Sequence, residues 1–70
     1  MEFVTVTYPQ DRKLFIDGVE AGMTNTLLRI EAGTHTFNLG EPRDYVPKWR
    51  RKVVKDTTSI APMEIGFDPA

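Results

Sequence analysis

Apolar and polar residues alternate along most of the chain, and no stretch has the i, i+3, i+4, i+7 spacing of an amphipathic helix. A period of two places successive side chains on opposite faces of a strand. Over residues 2–8, for example, Val4, Val6 and Tyr8 share one face, and Pro9 ends the strand. The pattern therefore predicts an all-β chain with almost no helix.

The Asp17-Gly18 pair lies between two apolar runs and is the strongest turn signal in the chain. Asp and Gly supply the positive φ angles that a tight hairpin turn needs. We expect strands over residues 13–16 and 19–21 on either side of it. Gly22 is expected to break the second strand and to begin a loop.

The second half of the chain shows the same alternation. A turn with Gly33 as its left-handed residue precedes a segment in which His35 and Phe37 share a face. After a region dense in turn formers, the sequence predicts one extended strand over residues 45–54. Because Arg51 does not suit a fully buried face, we expect this strand to have a bulge near Pro47 or an exposed end. A last strand must be an edge strand or bulged at Pro62, which has no amide hydrogen. Its inward residues are expected to be Ala61, Met63, Ile65 and Phe67.

Several short strands at this spacing indicate a small antiparallel β-sandwich-like domain, immunoglobulin-like or prealbumin-like, with about six or seven strands. A chain of 70 residues suffices for one domain with a thin core, so residues 1–70 are expected to form a single unit. There is no Cys, so packing and strand pairing must supply the stability. A net charge of -1 provides no global attraction for nucleic acid, and no apolar run is long enough to span a membrane.

The run Lys48-Trp49-Arg50-Arg51-Lys52 is the only charge run and encloses the only tryptophan. Basic residues beside an aromatic ring can hold a phosphate backbone while the ring stacks on a base. In a regular strand, however, alternation separates the ring from most of the charge. The simplest interpretation is a solvated outer face that protects a sheet edge; a contact for a protein or an anionic glycan and a nucleic-acid site are the alternatives. The partner contacts that we expect are Tyr45, Trp49, Arg50 and Lys52.

His35 is the only histidine and Ser59 the only serine, and their spacing gives no sign of a nucleophilic triad. No set of further ligands accompanies the histidine, so a metal site is not indicated. We expect its ring to pack at the margin of the core and to bind a loop carbonyl. The carboxylates around the first hairpin lack calcium-loop spacing, and Asp17 is explained by its turn. The sequence therefore predicts no catalytic residue, no metal and no cofactor.

Phe3 and Phe15 lie on the faces opposite the main core positions of their strands. If these two strands pair, the rings are neighbours across the ladder. An uncovered pair of rings would form an exposed apolar patch. We expect the second sheet to cover them, because so short a chain can hardly leave two phenylalanines unused.

The order of these motifs resembles the PEGA domain, a small all-β module of bacterial and archaeal proteins, many of them surface or envelope proteins. The usual pattern of that family has a proline, a strand ending in Asp-Gly, a Gly-x-Thr-Pro loop, an Ala-Gly-x-His strand and a Gly-Tyr pair. The residues that match it are Pro9, residues 14–18 (LFIDG), residues 22–24 (GMT), residues 32–35 (AGTH) and Tyr45.

The resemblance implies a non-catalytic accessory module, with a structural or binding role, inside a larger envelope-associated protein. It implies neighbouring domains, another protein or a polysaccharide as partners. Nucleic acid is an unlikely partner on this interpretation, and the domain is not expected to insert into a membrane. The chain departs from the pattern at Gln10-Asp11-Arg12 (Glu-Gly-Ala in the family), Asn25 (Pro) and Asp44 (Gly).

Overall fold

The computed structural model describes all 70 residues and contains strands but no helix. None of its elements is therefore an apolar helix of membrane-spanning length. The nine strands are β1 (Glu2–Thr7), β2 (Lys13–Ile16), β3 (Val19–Met23), β4 (Leu27–Ile30), β5 (Gly33–Asn38), β6 (Tyr45–Val46), β7 (Arg50–Val54), β8 (Met63–Gly66) and β9 (Asp68–Pro69).

Two sheets share one core. The first has the strand order β4-β1-β8 and the second β3-β2-β5-β7, while β6 and β9 form a small third sheet. The all-β, sandwich-like architecture predicted from the sequence is confirmed. Two details differ from the prediction. There are nine strands instead of about six or seven, because β6 and β9 are short extra pieces, and β1 pairs with β8 in parallel.

The core consists of 11 buried side chains contributed by both sheets. Val4 in β1, Leu14 in β2 and Phe37 in β5 are each fully buried. Burial of one such side chain stabilises the fold by on the order of 1.5–3 kcal/mol. Because side chains alternate along a strand, burial of Phe37 turns Thr36 and Asn38 to the outer face of the second sheet.

The hairpin between β2 and β3 has the predicted turn, with φ of 54° at Asp17 and 82° at Gly18. Gly33 has the positive φ angle expected of it, 129°, and Gly22 has a φ of 156°. The prediction that Gly22 ends the second strand is wrong. β3 continues to Met23, and Gly22 adjoins a register shift in the hairpin, where one extra residue is accommodated as a bulge.

Residues 45–54 do not form the single strand that the sequence predicted. The chain bends at residues 47–49, where Pro47 has no amide hydrogen to give to a ladder. As a result β6 pairs with β9, whereas β7 pairs with β5 in the second sheet. Trp49 still lies on the same side as Arg51, as alternation predicts, and the bend changes the side on which Lys48 lies.

β1 and β2 belong to different sheets, so the strand pairing that would make Phe3 and Phe15 neighbours does not occur. Both rings are half-buried. Phe15 packs on the loop after β5, where a Cβ atom added to Gly40 would lie 2.6 Å from the ring and where the backbone φ is 69°. Only glycine is compatible with both conditions.

The last long strand meets most of its expectations. β8 lies at the edge of the first sheet, which is one of the two alternatives predicted for it, and Pro62 lies just before its first residue. Ile65 and Phe67 are buried and Met63 is half-buried. Ala61, however, is exposed, because it lies before β8 in a short turn closed by a bridge to Thr58.

Candidate functional site

An open cavity of about 360 Å³ lies on the outer face of the second sheet, beside the bend between β6 and β7. Strands β5 and β7, the loop before β6 and the bend provide its walls. The register of β5 with β7 brings Arg51 opposite Thr36, so that both face the opening. We call this site the Trp49 cavity. It is lined by Thr36, Asn38, Arg43, Tyr45, Lys48, Trp49 and Arg51.

Trp49 provides the aromatic wall of the cavity, and its side chain is 55% exposed. The guanidinium carbon of Arg51 lies 5.6 Å from the centroid of the indole ring, within the range of a cation–π contact. Arg51 Nε donates a hydrogen bond of 3.3 Å to Thr36 Oγ1, which orients the guanidinium. Its terminal nitrogens donate to no other group of the chain, so they are available to a ligand.

The charge of the Trp49 cavity is positive. Arg43, Lys48 and Arg51 are three of its seven lining residues, and none of the seven is acidic. The nearest counter-charge that pairs with them is Glu41, whose Oε1 lies 3.2 Å from Arg43 Nε, with both side chains more than half exposed. This pair offsets part of the charge of Arg43, while Lys48 and Arg51 form no ion pair. The cavity therefore attracts anions although the chain has a net charge of -1.

This arrangement corrects the expectation that alternation separates Trp49 from most of the basic run. The bend places Lys48 on the same side as Trp49 and Arg51, and the preceding loop adds Arg43. Of the basic run, only Arg50 and Lys52 lie outside the cavity. The ring and the majority of the nearby positive charge thus share one opening.

The four predicted contact residues divide into two pairs. Trp49 and Tyr45 line the cavity, although Tyr45 is only 2% exposed. Arg50 faces inward and donates from Nε to the carbonyl oxygen of Gly66 at 2.6 Å, which connects β7 to β8 of the other sheet. Lys52 is exposed farther along β7 and does not line the cavity.

Tyr45 serves as the floor of the cavity through contacts made entirely within the chain. Its hydroxyl donates to the carbonyl oxygen of Gly40 at 2.9 Å and accepts from the amide of Leu39 at 3.2 Å. Its ring makes edge-on contacts with Tyr8 and Phe67, at centroid distances of 6.4 and 5.6 Å. These contacts close the loop between β5 and β6 on itself.

Arg12 fixes the same loop from the other side, and the sequence analysis gave it no role. Its side chain is only 13% exposed, and its guanidinium carbon lies 5.4 Å from the centroid of Tyr45. A single arginine in a connecting segment carries no signal of such a role in the sequence. The oxygens that accept its hydrogen bonds are Asp44 Oδ1 at 2.7 Å and the carbonyls of Pro42 at 2.7 Å and Leu39 at 3.4 Å.

His35 lies at the margin of the core and binds a loop carbonyl, as predicted. Its Nδ1 lies 2.7 Å from Asp17 Oδ2 and its Nε2 lies 2.8 Å from the carbonyl oxygen of Glu31. Both partners only accept, so a ring that satisfies both carries a proton on each nitrogen and is cationic. The hydrogen bond to Asp17 raises the pKa of His35, while the backbone amide of Thr36 and then His35 lower the pKa of Asp17. Neither ring nitrogen is left to accept a proton from a nucleophile.

The carboxylates of the first hairpin bind separate partners. Asp17 accepts from His35, Glu20 lies 3.9 Å from Lys13 Nζ, and Asp11 accepts from the side-chain amide of Asn25 at 3.3 Å. No group of three or more His, Asp or Glu side chains is arranged to hold a metal ion. The position of Asp17 is explained by the turn and by His35, which agrees with the structural role expected of it.

The geometry defines a small all-β, sandwich-like domain with one basic, aromatic-walled cavity. Comparisons with protein-family models, with curated proteins and with solved structures gave no match. One departure from the PEGA pattern has a clear structural reason. Asn25 has a φ of 61° and its backbone amide donates to Val6 at 2.6 Å, and proline could do neither. The loop after β3 is therefore built in a way that the usual proline would not allow.

Proposed function

We propose that this domain is a non-catalytic accessory module that binds an anionic partner through the Trp49 cavity. The observation that carries the proposal is the exposure of Trp49 beside Arg51, Lys48 and Arg43. Tryptophan and arginine are the residue types most enriched where binding energy is concentrated in interfaces. A half-exposed indole ring next to unsatisfied guanidinium donors has no role in the core of this fold.

The rigidity of the cavity supports a binding role. Its walls belong to the paired strands β5 and β7, and its floor is held by the two hydrogen bonds of the Tyr45 hydroxyl. Arg12 holds the loop that carries Arg43. Because these groups are ordered before a ligand arrives, binding costs little conformational entropy.

The resemblance to PEGA domains supports the wider context. On that basis we place the module in a larger envelope-associated protein, where it presents its β-surface to a neighbouring domain, another protein or a polysaccharide. The resemblance alone supports the envelope location. The choice of the Trp49 cavity as the contact surface rests on the geometry and is independent of the resemblance.

Single-stranded nucleic acid is the second candidate partner. The reason is the same cavity, because an exposed indole ring beside three cations can stack a base and hold phosphates. The sequence analysis considered this function through the Lys48–Lys52 run. The structure changes the residues that would carry it, since Arg43 replaces Arg50 and Lys52.

The experiment uses Trp49 as its own reporter, because it is the only tryptophan. The domain is titrated with an acidic polysaccharide, an acidic peptide and a single-stranded oligonucleotide at low and high salt. We expect at least one of them to change the tryptophan fluorescence saturably, and less strongly at high salt, because salt screens exposed charges.

Two charge-reversal variants provide the matched comparison. Arg51→Glu is expected to abolish binding, whereas Lys52→Glu makes the same charge change on the same strand outside the cavity and should preserve it. The proposal is wrong if none of the three polymers binds. It is equally wrong if the two variants lose binding to the same extent.

A further inference from the structure

The Trp49 cavity has a single exposed aromatic ring, which can serve as a stacking platform for a ligand, and no series of such rings. Trp49 is the only exposed aromatic side chain, and Tyr45, the other ring in the lining, is 2% exposed. Proteins that bind single-stranded nucleic acid stack successive bases on several rings along a positive groove. A single exposed indole ring matches one flat unit of a ligand.

Uncharged hydrogen-bonding groups lie beside this platform. Asn38 Oδ1 accepts a hydrogen bond of 2.9 Å from the amide of Gly40, which leaves the side-chain NH₂ group free to donate. The hydroxyl of Thr36 accepts from Arg51 and keeps its own proton for an acceptor. Such a mixture of amide and hydroxyl groups suits a ligand that carries many hydroxyls, since each hydroxyl both donates and accepts.

Carboxylates adjoin the positive charge of the cavity. Glu41 Oε1 lies 3.2 Å from Arg43 Nε, and Asp17 lies close enough to Arg51 for that charge to contribute to its lowered pKa. A long polyanion that extends past the cavity meets these carboxylates, whereas a short acidic unit inside it does not.

From these three observations we propose that the Trp49 cavity binds an acidic sugar unit of a polysaccharide, carboxylated or sulfated. The unit stacks the C–H face of its ring on Trp49, gives its anionic group to Arg51 and Lys48, and bonds its hydroxyls to Asn38 and Thr36. Arg51 is suited to this role because its planar fork matches carboxylate and sulfate oxygens in pairs. This inference rests on the proposed function and specifies the ligand class.

The test compares short ligands of matched size by tryptophan fluorescence and by NMR titration of the folded domain. The probes are a trisaccharide of galacturonic acid, a sulfated disaccharide, maltotriose as the neutral sugar and a short oligothymidylate. We expect at least one acidic sugar to bind about tenfold or more tightly than maltotriose and than the oligonucleotide.

Variants locate the binding. Trp49→Ala and Arg51→Ala are each expected to lower the affinity for the acidic sugar about tenfold or more. Binding to Trp49→Ala is followed by NMR, because this variant has no tryptophan. Trp49→Phe should retain most of the affinity because it keeps an aromatic face. Lys52→Ala, the control on the same strand, should change the affinity less than about twofold. Thermal melting of every variant verifies that it is folded.

The outcomes separate this inference from the proposed function. Binding of the oligonucleotide with no binding of either acidic sugar overturns the ligand class and leaves an anion-binding cavity. Equal binding of maltotriose and the acidic sugars overturns the role of Arg51 and Lys48. Absence of binding by every anionic probe overturns the ligand class, and the proposed function fails as well if the three polymers, the acidic peptide included, do not bind. Loss of affinity in Lys52→Ala as large as in Arg51→Ala overturns the assignment to the cavity.

Discussion

Two arginines of this domain lie over aromatic rings at nearly the same distance, and their surroundings differ. Arg12 is 5.4 Å from the ring centroid of Tyr45, and Arg51 is 5.6 Å from that of Trp49. Arg12 is mostly buried and donates to three oxygens of one loop, whereas Arg51 makes a single side-chain hydrogen bond, to Thr36. The stacking geometry alone therefore does not separate a structural arginine from a ligand-binding one. Burial and unused donors separate them.

The buried pair, Arg12 and Tyr45, also holds in place part of the cavity that contains the exposed pair, Arg51 and Trp49. Arg12 and Tyr45 hold the loop between β5 and β6, and this loop carries Arg43 into the Trp49 cavity. A change at the buried pair should therefore reduce both stability and binding. A change at the exposed pair should reduce binding alone. The predictions below test this division in order of decreasing effect on stability.

The largest effect is expected from Arg12→Ala. It leaves the carbonyls of Leu39 and Pro42 without their donor and removes the stacking on Tyr45, so the free energy of unfolding should fall by about 2 kcal/mol. For a domain of this size that corresponds to a melting temperature about 10 °C lower. Urea unfolding measures the change, and Arg12→Lys, which keeps the charge without the planar fork, should give an intermediate loss. An unchanged melting temperature would contradict the structural role.

Tyr45→Phe is expected to have the next largest effect. The buried amide of Leu39 loses the hydroxyl that accepts its hydrogen bond, at a cost of about 1–2 kcal/mol in the free energy of unfolding. Tyr8→Phe is the matched control, because its hydroxyl makes only a 3.4 Å contact with Asp44 and its loss should cost less than about 0.5 kcal/mol. Equal losses in the two variants, measured by urea unfolding, would mean that the Tyr45 hydroxyl does not fix the loop.

The pair formed by His35 and Asp17 predicts a pH dependence next to the exposed arginine. The pKa of His35 is raised above 6.5, so its stabilisation is complete below that value and is lost as the pH rises through the raised pKa. The pKa of Asp17 is lowered below 3.8, so its stabilisation is present above that value and is lost as the pH falls through the lowered pKa. The pair should stabilise the fold most strongly between 3.8 and 6.5.

Unfolding experiments across pH measure this window. In His35→Gln the free energy of unfolding should no longer fall as the pH rises above 6.5, while the domain stays folded. If wild type and His35→Gln show the same decline above neutral pH, the ring is not protonated in the native state. The exposed arginine is coupled to this pair through Thr36 and through its charge, which is the smallest cause of the lowered pKa of Asp17, so its affinity for a ligand should follow the same pH window weakly.

The smallest effect on stability is expected from Arg51→Ala and Trp49→Ala. Both side chains are exposed, and neither substitution removes a buried hydrogen bond. Each substitution should therefore change the free energy of unfolding by less than about 0.5 kcal/mol. Calorimetry or urea unfolding measures this. A loss as large as that of Arg12→Ala would show that the two arginines play the same structural role, and the division between them would fail.

Most of the strand pattern could be predicted, because it depends on local chemistry. β2 coincides with the predicted residues 13–16, and the Asp17-Gly18 turn has the expected φ angles. Alternation correctly placed Val4 and Phe37 in the core. These features follow from side-chain period and from the conformations open to Asp and Gly, which are properties of a few consecutive residues.

The candidate site could be predicted only in part. Trp49 was named as a contact from the charge run around it, although the sequence did not show whether its ring is exposed, and the structure places the ring at the surface. Arg43 and Asn38 were not expected there, since they come from other segments of the chain. Arg50 and Lys52 were expected as contacts but lie outside the cavity, whereas Lys48, which the bend at Pro47 turns to the side of Trp49, is one of its lining residues.

The β-sandwich-like class, the position of the first hairpin turn and the alternate residues apolar enough to be buried follow from the order of amino acids. The folded arrangement is needed to show that β1 pairs in parallel with β8, that Arg12 lies on Tyr45, and that the positive charge of the Trp49 cavity comes from two separate segments. Local conformation depends on neighbours in the chain. Pairing and charge clustering depend on which distant segments share a sheet, and many arrangements of the same strands satisfy the local rules equally well.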